Sequence, residues 1–285
     1  MTLPKVLILH APGSNRDGDL AQAIRLAGGE PHIVPLSTLA QGSVNWHDYA
    51  MLALPGGFAH GDALGAGRLW ALELQTTFDD FLRDFVASGR PVIGICNGFQ
   101  ALVKAGILPG KPHRPHPRAL PVQSNGEESR RSPSSVQERG LSSEDELRGE
   151  VATLTFNAAG HFECRWVTLI PNPANPSPWL MDLPPIHCPV AHGEGRFLLP
   201  DGETLNPAQI ALSYADENGN LAGGAYPLNP NGSPRDIAGI TNAAGNILGL
   251  MPHPEDHIYP YQHPRWTRGH TGGMGIKLFE NGLRM

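Results

Sequence analysis

The chain has 285 residues, 40% of them hydrophobic and 17% charged, with a formal net charge of -6. That length buries a core in one large α/β domain or two small ones, and the acidic balance leaves no basic footprint for nucleic acid or an anionic membrane. No run approaches the ~18–20 apolar residues of a membrane-spanning helix, and the start MTLPKVLILH carries no signal peptide. Three cysteines, Cys96, Cys164 and Cys188, form neither a CxxC pair nor a zinc framework. A reducing cytoplasm is the expected location, with one thiol in chemistry and with Cys164 and Cys188 structural.

The first hundred residues alternate short apolar runs with helical stretches. Lys5–Leu9 predicts a first strand, followed by the loop Ala11-Pro12-Gly13-Ser14-Asn15. A helix is expected from Asp17 to Ala27, ended by Gly28-Gly29. His32–Pro35 and Tyr49–Leu54 read as buried strands, and one long amphipathic helix is expected from Gly67 to Ser88. Pro91–Ile95 is the next strand. This alternation predicts an α/β fold, an open and mostly parallel sheet with helices on both faces, whose ligands bind beyond the carboxyl ends of the strands.

A different texture runs from 111 to 150, rich in Ser, Glu and Arg and poor in apolar residues. Such a composition cannot bury enough surface to fold alone, so a flexible insertion within a single 1–285 domain is expected. Short strands follow at Phe162–Ile170, Val190–Phe197 and Gln209–Tyr214. Ile237–Thr241 and Ile247–Met251 flank the turn Ala243-Ala244-Gly245-Asn246 as a hairpin, and Met274–Asn281 is the last helix.

The chemistry concentrates in Gly94-Ile95-Cys96-Asn97-Gly98, directly after an apolar run. A nucleophile between two spaced glycines marks a strained strand-to-helix turn, and a thiol at a helix N-terminus is favoured as thiolate. A buried structural cysteine beside a βα turn is the simpler reading of those five residues alone. A nucleophilic cysteine also needs a base and a group to orient it. Met251-Pro252-His253-Pro254-Glu255 follows an apolar strand, so Glu255 is placed to accept Nδ1–H of His253 and leave Nε2 for the thiol proton. The simpler reading here is a solvated turn. The Gly56-Gly57 pair at another strand end, with the N–H of Asn97, would supply oxyanion donors. Together these residues predict acyl transfer from an amide or ester.

Gly94-Ile95-Cys96-Asn97-Gly98-Phe99-Gln100 with the late His253-Pro254-Glu255 resembles the class I, triad-type glutamine amidotransferases. The resemblance implies a flavodoxin-like sheet with additional short antiparallel strands. It also implies Cys96 as nucleophile, His253 as base, Glu255 as its partner, and Gly57 and Asn97 as oxyanion hole. Gln100 matches a position that helps hold the substrate L-glutamine, and Phe58, His192 and Glu194 are further substrate-binding candidates. GGFAHGD (56–62), PVAHGEGRF (189–197) and YPLNPNGSPRD (226–236) resemble, within that class, the glutaminase subunits of phosphoribosylformylglycinamidine synthases. Such a subunit implies a separate synthetase partner that uses ATP and magnesium, with room for a small third subunit, and no metal or cofactor in this chain. No phosphate-binding P-loop motif occurs in the sequence.

Two departures from the family pattern stand out: Gly65 where an arginine is usual, and the added length at 111–150. Another class I amidotransferase, a cysteine amidase, and a silent scaffold of the same fold are the alternatives.

Overall fold

The computed structural model describes residues 2–110 and 152–285, so the expected insertion at 111–150 lies outside the described residues. In chain order the strands are β1 (Lys5–His10), β2 (Glu30–Pro35), β3 (Met51–Leu54), β4 (Val92–Ile95), β5 (Thr153–Thr155) and β6 (Glu163–Pro171). They continue with β7 (Ile186–His192), β8 (Arg196–Leu198), β9 (Ile210–Ala215), β10 (Ile237–Thr241) and β11 (Ile247–Leu250). The helices are α1 (Asp17–Leu26), α2 (Leu36–Ala40), α3 (Arg68–Thr76), α4 (Asp79–Ala87), α5 (Asn97–Lys104) and α6 (Ile276–Leu283).

Nine strands form one sheet in the order β2-β1-β3-β4-β11-β10-β9-β6-β7. The first five in that order pair in parallel. The antiparallel strands expected from the sequence extend the same sheet from β11 outward, while β5 and β8 pair separately. Every residue of β3 and β4 is buried, as parallel strands covered on both faces must be. α1 packs beside α6, and α3 packs with α4 and α5, giving two helix groups against the sheet.

Parallel neighbours end on the same side. β3, β4 and β11 are adjacent and parallel, so their carboxyl ends bring Gly56, Cys96 and His253 side by side. Register fixes this placement: Leu54 lies opposite Gly94, and Leu250 opposite Ile95.

Besides β2, an edge strand with only Val34 buried where a buried strand is expected, the chain differs from its sequence reading in two elements. The long helix is two, broken at Phe78, whose φ of -116° and ψ of 15° leave the helical well. The buried positions Trp70, Ala71, Leu74, Phe78, Leu82 and Phe85 keep helical spacing across the break, which hides it from periodicity. The acidic pair Asp79-Asp80 in the first turn of α4 marks a new N-terminus. The second difference is Val190–Phe197, which divides into the end of β7 and the start of β8 around Gly193-Glu194-Gly195. Cys188 is buried as expected, whereas Cys164 is exposed on β6, because the alternation along that strand turns it outward.

Candidate active site

Cys96 sits between β4 and α5 with φ 49° and ψ -105°, a conformation that non-glycine residues adopt only where surrounding structure imposes it. Its N–H donates to Leu250 O at 2.8 Å, and Gln100 N–H donates to Cys96 O at 3.0 Å, so β11 and α5 hold the elbow from both sides. The glycines of the elbow are required by close approach. A Cβ at Gly98 would meet Leu54 O at 2.1 Å, and one at Gly94 would meet Gly98 C at 2.9 Å. Cys96 is 4% exposed and its Sγ lies 3.8 Å from Ala191 O, so β7 forms another wall of the site.

His253 follows β11 and is fixed by its N–H donating to Pro189 O at 2.8 Å. Nδ1 of His253 lies 2.7 Å from Oε1 of Glu255, and both side chains are buried. The carboxylate accepts, so Nδ1 carries the proton and Nε2 is left for Cys96. Burial is the largest single influence on His253 and opposes its charged form. The charges of Glu255 and Cys96 and hydrogen bonds to both outweigh that, holding the imidazole well above its ordinary value. A ring so poised takes a proton from a neighbouring thiol readily.

Gly57 has φ +135°, and a Cβ there would come within 2.6 Å of Asn15 N. The segment pairs with Ser14 through an antiparallel bridge, flanked by Phe58 N–H to Gly13 O at 3.2 Å and Arg16 N–H to Gly56 O at 3.4 Å. Among the described residues neither the Gly57 nor the Asn97 N–H donates to a protein acceptor, so both are available to an oxyanion. The geometry therefore supplies a thiol, a proton acceptor with its orienting carboxylate, and two amide donors.

The remaining sequence candidates fall into two groups. Phe58 is 44% exposed and stacks on Phe162, ring centroids 6.4 Å apart, forming an apolar rim. Gln100, Glu194 and His192 are built into the walls. Gln100 Nε2 donates to Glu194 O at 2.7 Å and its Oε1 accepts from Asn97 Nδ2 at 2.9 Å, so both ends already have protein partners. Glu194 Oε1 accepts from Ala66 N–H at 3.1 Å, with Oε2 3.7 Å from Lys104 Nζ. His192 Nδ1 lies 3.1 Å from Asn157 Oδ1, while the Asn157 amide donates to the carbonyls of His161 and His192. His192 is thereby a neutral Nδ1–H tautomer, and its buried Nε2 has no partner among the described residues. Burial first, then the charge of His253, lowers its pKa to about 3.

Sequence reasoning placed Gly56 in the oxyanion loop but missed its role as a spacer, and it missed Arg16, Asp62 and Asp256. A Cβ at Gly56 would sit 2.7 Å from His253 Cε1 and 3.4 Å from Cys96 Cβ, so this glycine keeps the space that the thiol and the ring share. Arg16 Nη1 reaches Asp256 at 3.4 Å and Asp19 at 3.0 Å, tying the start of α1 to the loop that carries Glu255. Burial, then repulsion from Glu255, lifts Asp256 to about 6. The adjacency of Asp256 to Glu255 was the available signal for this pair; the contact to Arg16 spans too much sequence to be visible.

Comparison with known proteins bears on the whole described chain. The family model of the CobB/CobQ-like glutamine amidotransferase domain matches residues 3–284. Phosphoribosylformylglycinamidine synthase subunit PurQ of Treponema denticola is 49% identical over 263 residues, 90% of this chain and 88% of that protein. The PurQ subunit of Dehalococcoides mccartyi is 37% identical over 286 residues, 100% of this chain and 98% of that one. Among solved structures, a chain in the structure of PurLQS from Thermotoga maritima aligns with TM-score 0.67 and 28% identity, covering 99% of each chain. The chain belongs to the CobB/CobQ-like glutamine amidotransferase family.

Proposed function

We propose that this chain is the glutaminase subunit of a phosphoribosylformylglycinamidine synthase, hydrolysing L-glutamine to glutamate and passing the ammonia to a synthetase partner. The observation that carries the chemistry is the buried line of Cys96, His253 and Glu255 at adjacent strand ends. Near-full-length identity to PurQ subunits supports the biosynthetic assignment.

In this reading His253 Nε2 takes the Cys96 proton as Sγ attacks the side-chain amide carbon of glutamine. The carbonyl oxygen becomes an oxyanion held by the Gly57 and Asn97 N–H groups. Collapse breaks the C–N bond, and the imidazolium returns its proton to the departing nitrogen, releasing ammonia and leaving a γ-glutamyl thioester. Water then attacks the thioester with His253 again as base, giving glutamate and free thiol. Glu255 keeps the ring in one tautomer throughout. Phe58 forms the rim of the glutamine pocket, and Gln100, His192 and Glu194 shape its walls.

The ammonia serves a partner that uses ATP and magnesium to convert formylglycinamide ribonucleotide to the amidine, with a small third subunit completing the assembly as in the PurLQS structure. Ammonia release from glutamine by the chain alone, and with the synthetase partner, ATP and formylglycinamide ribonucleotide, tests this beside Cys96→Ala. The expected result is strong stimulation by the loaded partner, abolished in the variant. Ammonia release that ignores the partner would identify a free-standing amidase instead.

A further inference from the structure

The two oxyanion amides belong to segments far apart in sequence, Gly57 after β3 and Asn97 at the start of α5, and no covalent link sets their separation. The side chain of Asn97 joins them through hydrogen bonds instead. Its Oδ1 accepts from Ala59 N–H at 3.0 Å, and its Nδ2 donates to Asp62 Oδ1 at 3.1 Å and to Gln100 Oε1 at 2.9 Å. Resting on the glutaminase reading, we propose that Asp62 is a positioning residue for that reaction: through Asn97 it holds the Gly57 loop against α5 and sets the spacing of the two oxyanion donors.

The loop it governs is one that would not hold this shape unaided. His60, Asp62 and Leu64 have φ of 55°, 51° and 66°, in company with Gly61, Gly65 and Gly67. Left-handed backbone at non-glycine residues persists only where its surroundings over-determine it. Asp62 sits in the middle of the stretch and is fastened inward by the Asn97 amide. The far end is latched independently. Glu194 Oε1 takes the Ala66 N–H at 3.1 Å and Lys104 Nζ donates to Ala66 O. The charged groups facing Asp62 are Glu194, which raises its pKa together with burial, and Lys104, which lowers it. Leu64 is 76% exposed and adds no packing, while His60 at the near end is held separately, its Nε2 2.9 Å from Glu73 Oε2 and its N–H donating to Pro12 O. The carboxylate thus fastens the loop between the His60 contacts and the Glu194 latch, next to the Asn97 amide that also holds Ala59 N–H.

The test compares Asp62→Ala and Asp62→Asn in the complex with the synthetase partner, reading kcat and KM for glutamine. Iodoacetamide alkylation of Cys96, read by peptide mass spectrometry, serves as a measure that needs no oxyanion hole. Asn keeps an oxygen for the Asn97 amide, whereas Ala removes it. Displacing one oxyanion donor predicts a kcat about 100-fold lower for Asp62→Ala, with KM and the Cys96 alkylation rate within about threefold of the parent. Asp62→Asn should recover most of the lost kcat. Unchanged kcat in Asp62→Ala, a loss confined to KM, or an Asn variant no better than Ala would overturn the proposal while leaving the glutaminase reading intact. A parent complex without Cys96-dependent ammonia release would overturn both.

Discussion

At the scale of single residues, the site depends as much on missing atoms as on reactive ones. Gly56 has no left-handed backbone requirement, so alanine there is conformationally allowed, yet its Cβ would fall 2.7 Å from His253 Cε1. The ring must shift, and a misplacement of about 1 Å costs on the order of 100-fold in rate. Gly56→Ala is therefore expected to retain its unfolding midpoint and lose about 100-fold in glutamine hydrolysis, measured by ammonia release beside thermal unfolding. Glu255→Gln acts on the other side of the same ring. It removes the charge that is the first of the influences lifting His253 against burial, and leaves only a neutral amide oxygen to accept Nδ1–H. The expected loss in kcat is about 10²–10⁴-fold, the range of general acid–base contributions, and the pH at which Cys96 alkylation turns on should move. An unchanged alkylation profile would dissociate Glu255 from the thiol. Cys96, His253 and Glu255 were legible in the sequence because each lies in a short motif directly after an apolar strand. The spacer role of Gly56 and the anchoring role of the Asn97 side chain were not, because both are defined by atoms supplied from distant segments.

At the scale of elements, helix α5 makes the site by lying closer to the sheet than side chains permit. Its first turn passes over β3 at Gly98, where a Cβ would overlap Leu54 O at 2.1 Å. The same turn packs Phe99 against Gly249 of β11, a position where a Cβ would meet the Phe99 ring at 2.1 Å. Gly98→Ala must lift the helix off the strand, and overpacking of this kind costs about 1–3 kcal/mol or more. The expected outcome is a lowered urea midpoint together with slower Cys96 alkylation, since the elbow moves with the helix. A destabilised variant with normal alkylation would separate elbow geometry from helix seating. The G-x-C-x-G spacing announced this close approach, and the alternation of apolar runs announced the parallel strands. What the apolar period could not announce was the interruption at Phe78, where buried residues keep the helical spacing while the backbone leaves it and only the acidic pair Asp79-Asp80 marks the new start. It was equally silent on the left-handed path of residues 60–67, where His60, Asp62 and Leu64 are ordinary residue types and the stretch is held by His60 on Glu73, Asp62 on Asn97 and Ala66 on Glu194.

At the scale of the whole molecule, the triad loop is braced against the antiparallel edge of the sheet by a group of histidines that are held neutral. His257 Nδ1 lies 2.6 Å from His187 O, two residues before the Pro189 carbonyl that accepts from His253 N–H. The His187 and His263 rings are 5.1 Å apart, with Trp166, Thr168, Arg265 and Glu217 around them. Burial, then the neighbouring His263 and His257, lowers His187 to about 4, and burial lowers His257 and His263 in the same direction. His192 at the other end of β7 stands at about 3. Each of these groups binds a proton more tightly in the unfolded chain, near 6.5, than in the folded one. Their stabilisation is therefore complete above that pH and is lost as the pH falls from 6.5 through 4, at about 1.4 kcal/mol per pH unit for each net proton. His253, raised in the folded state, is protonated in both states below 6.5 and does not change in this window. Asp256, raised to about 6, works in the opposite direction and offsets one such proton between 6 and its ordinary 3.8, and the smaller rise at Asp62 acts the same way. The histidines outnumber these carboxyls, so the balance favours acid destabilisation. Urea unfolding followed at pH 7.5 and at pH 5 should give a clearly lower midpoint at pH 5, and His187→Gln should make the dependence shallower. Because the brace and His253 share β7, Cys96 alkylation should weaken at urea concentrations below global unfolding at pH 5 but not at pH 7.5; coincident loss at both would mean that the histidines stabilise the fold without gating its site.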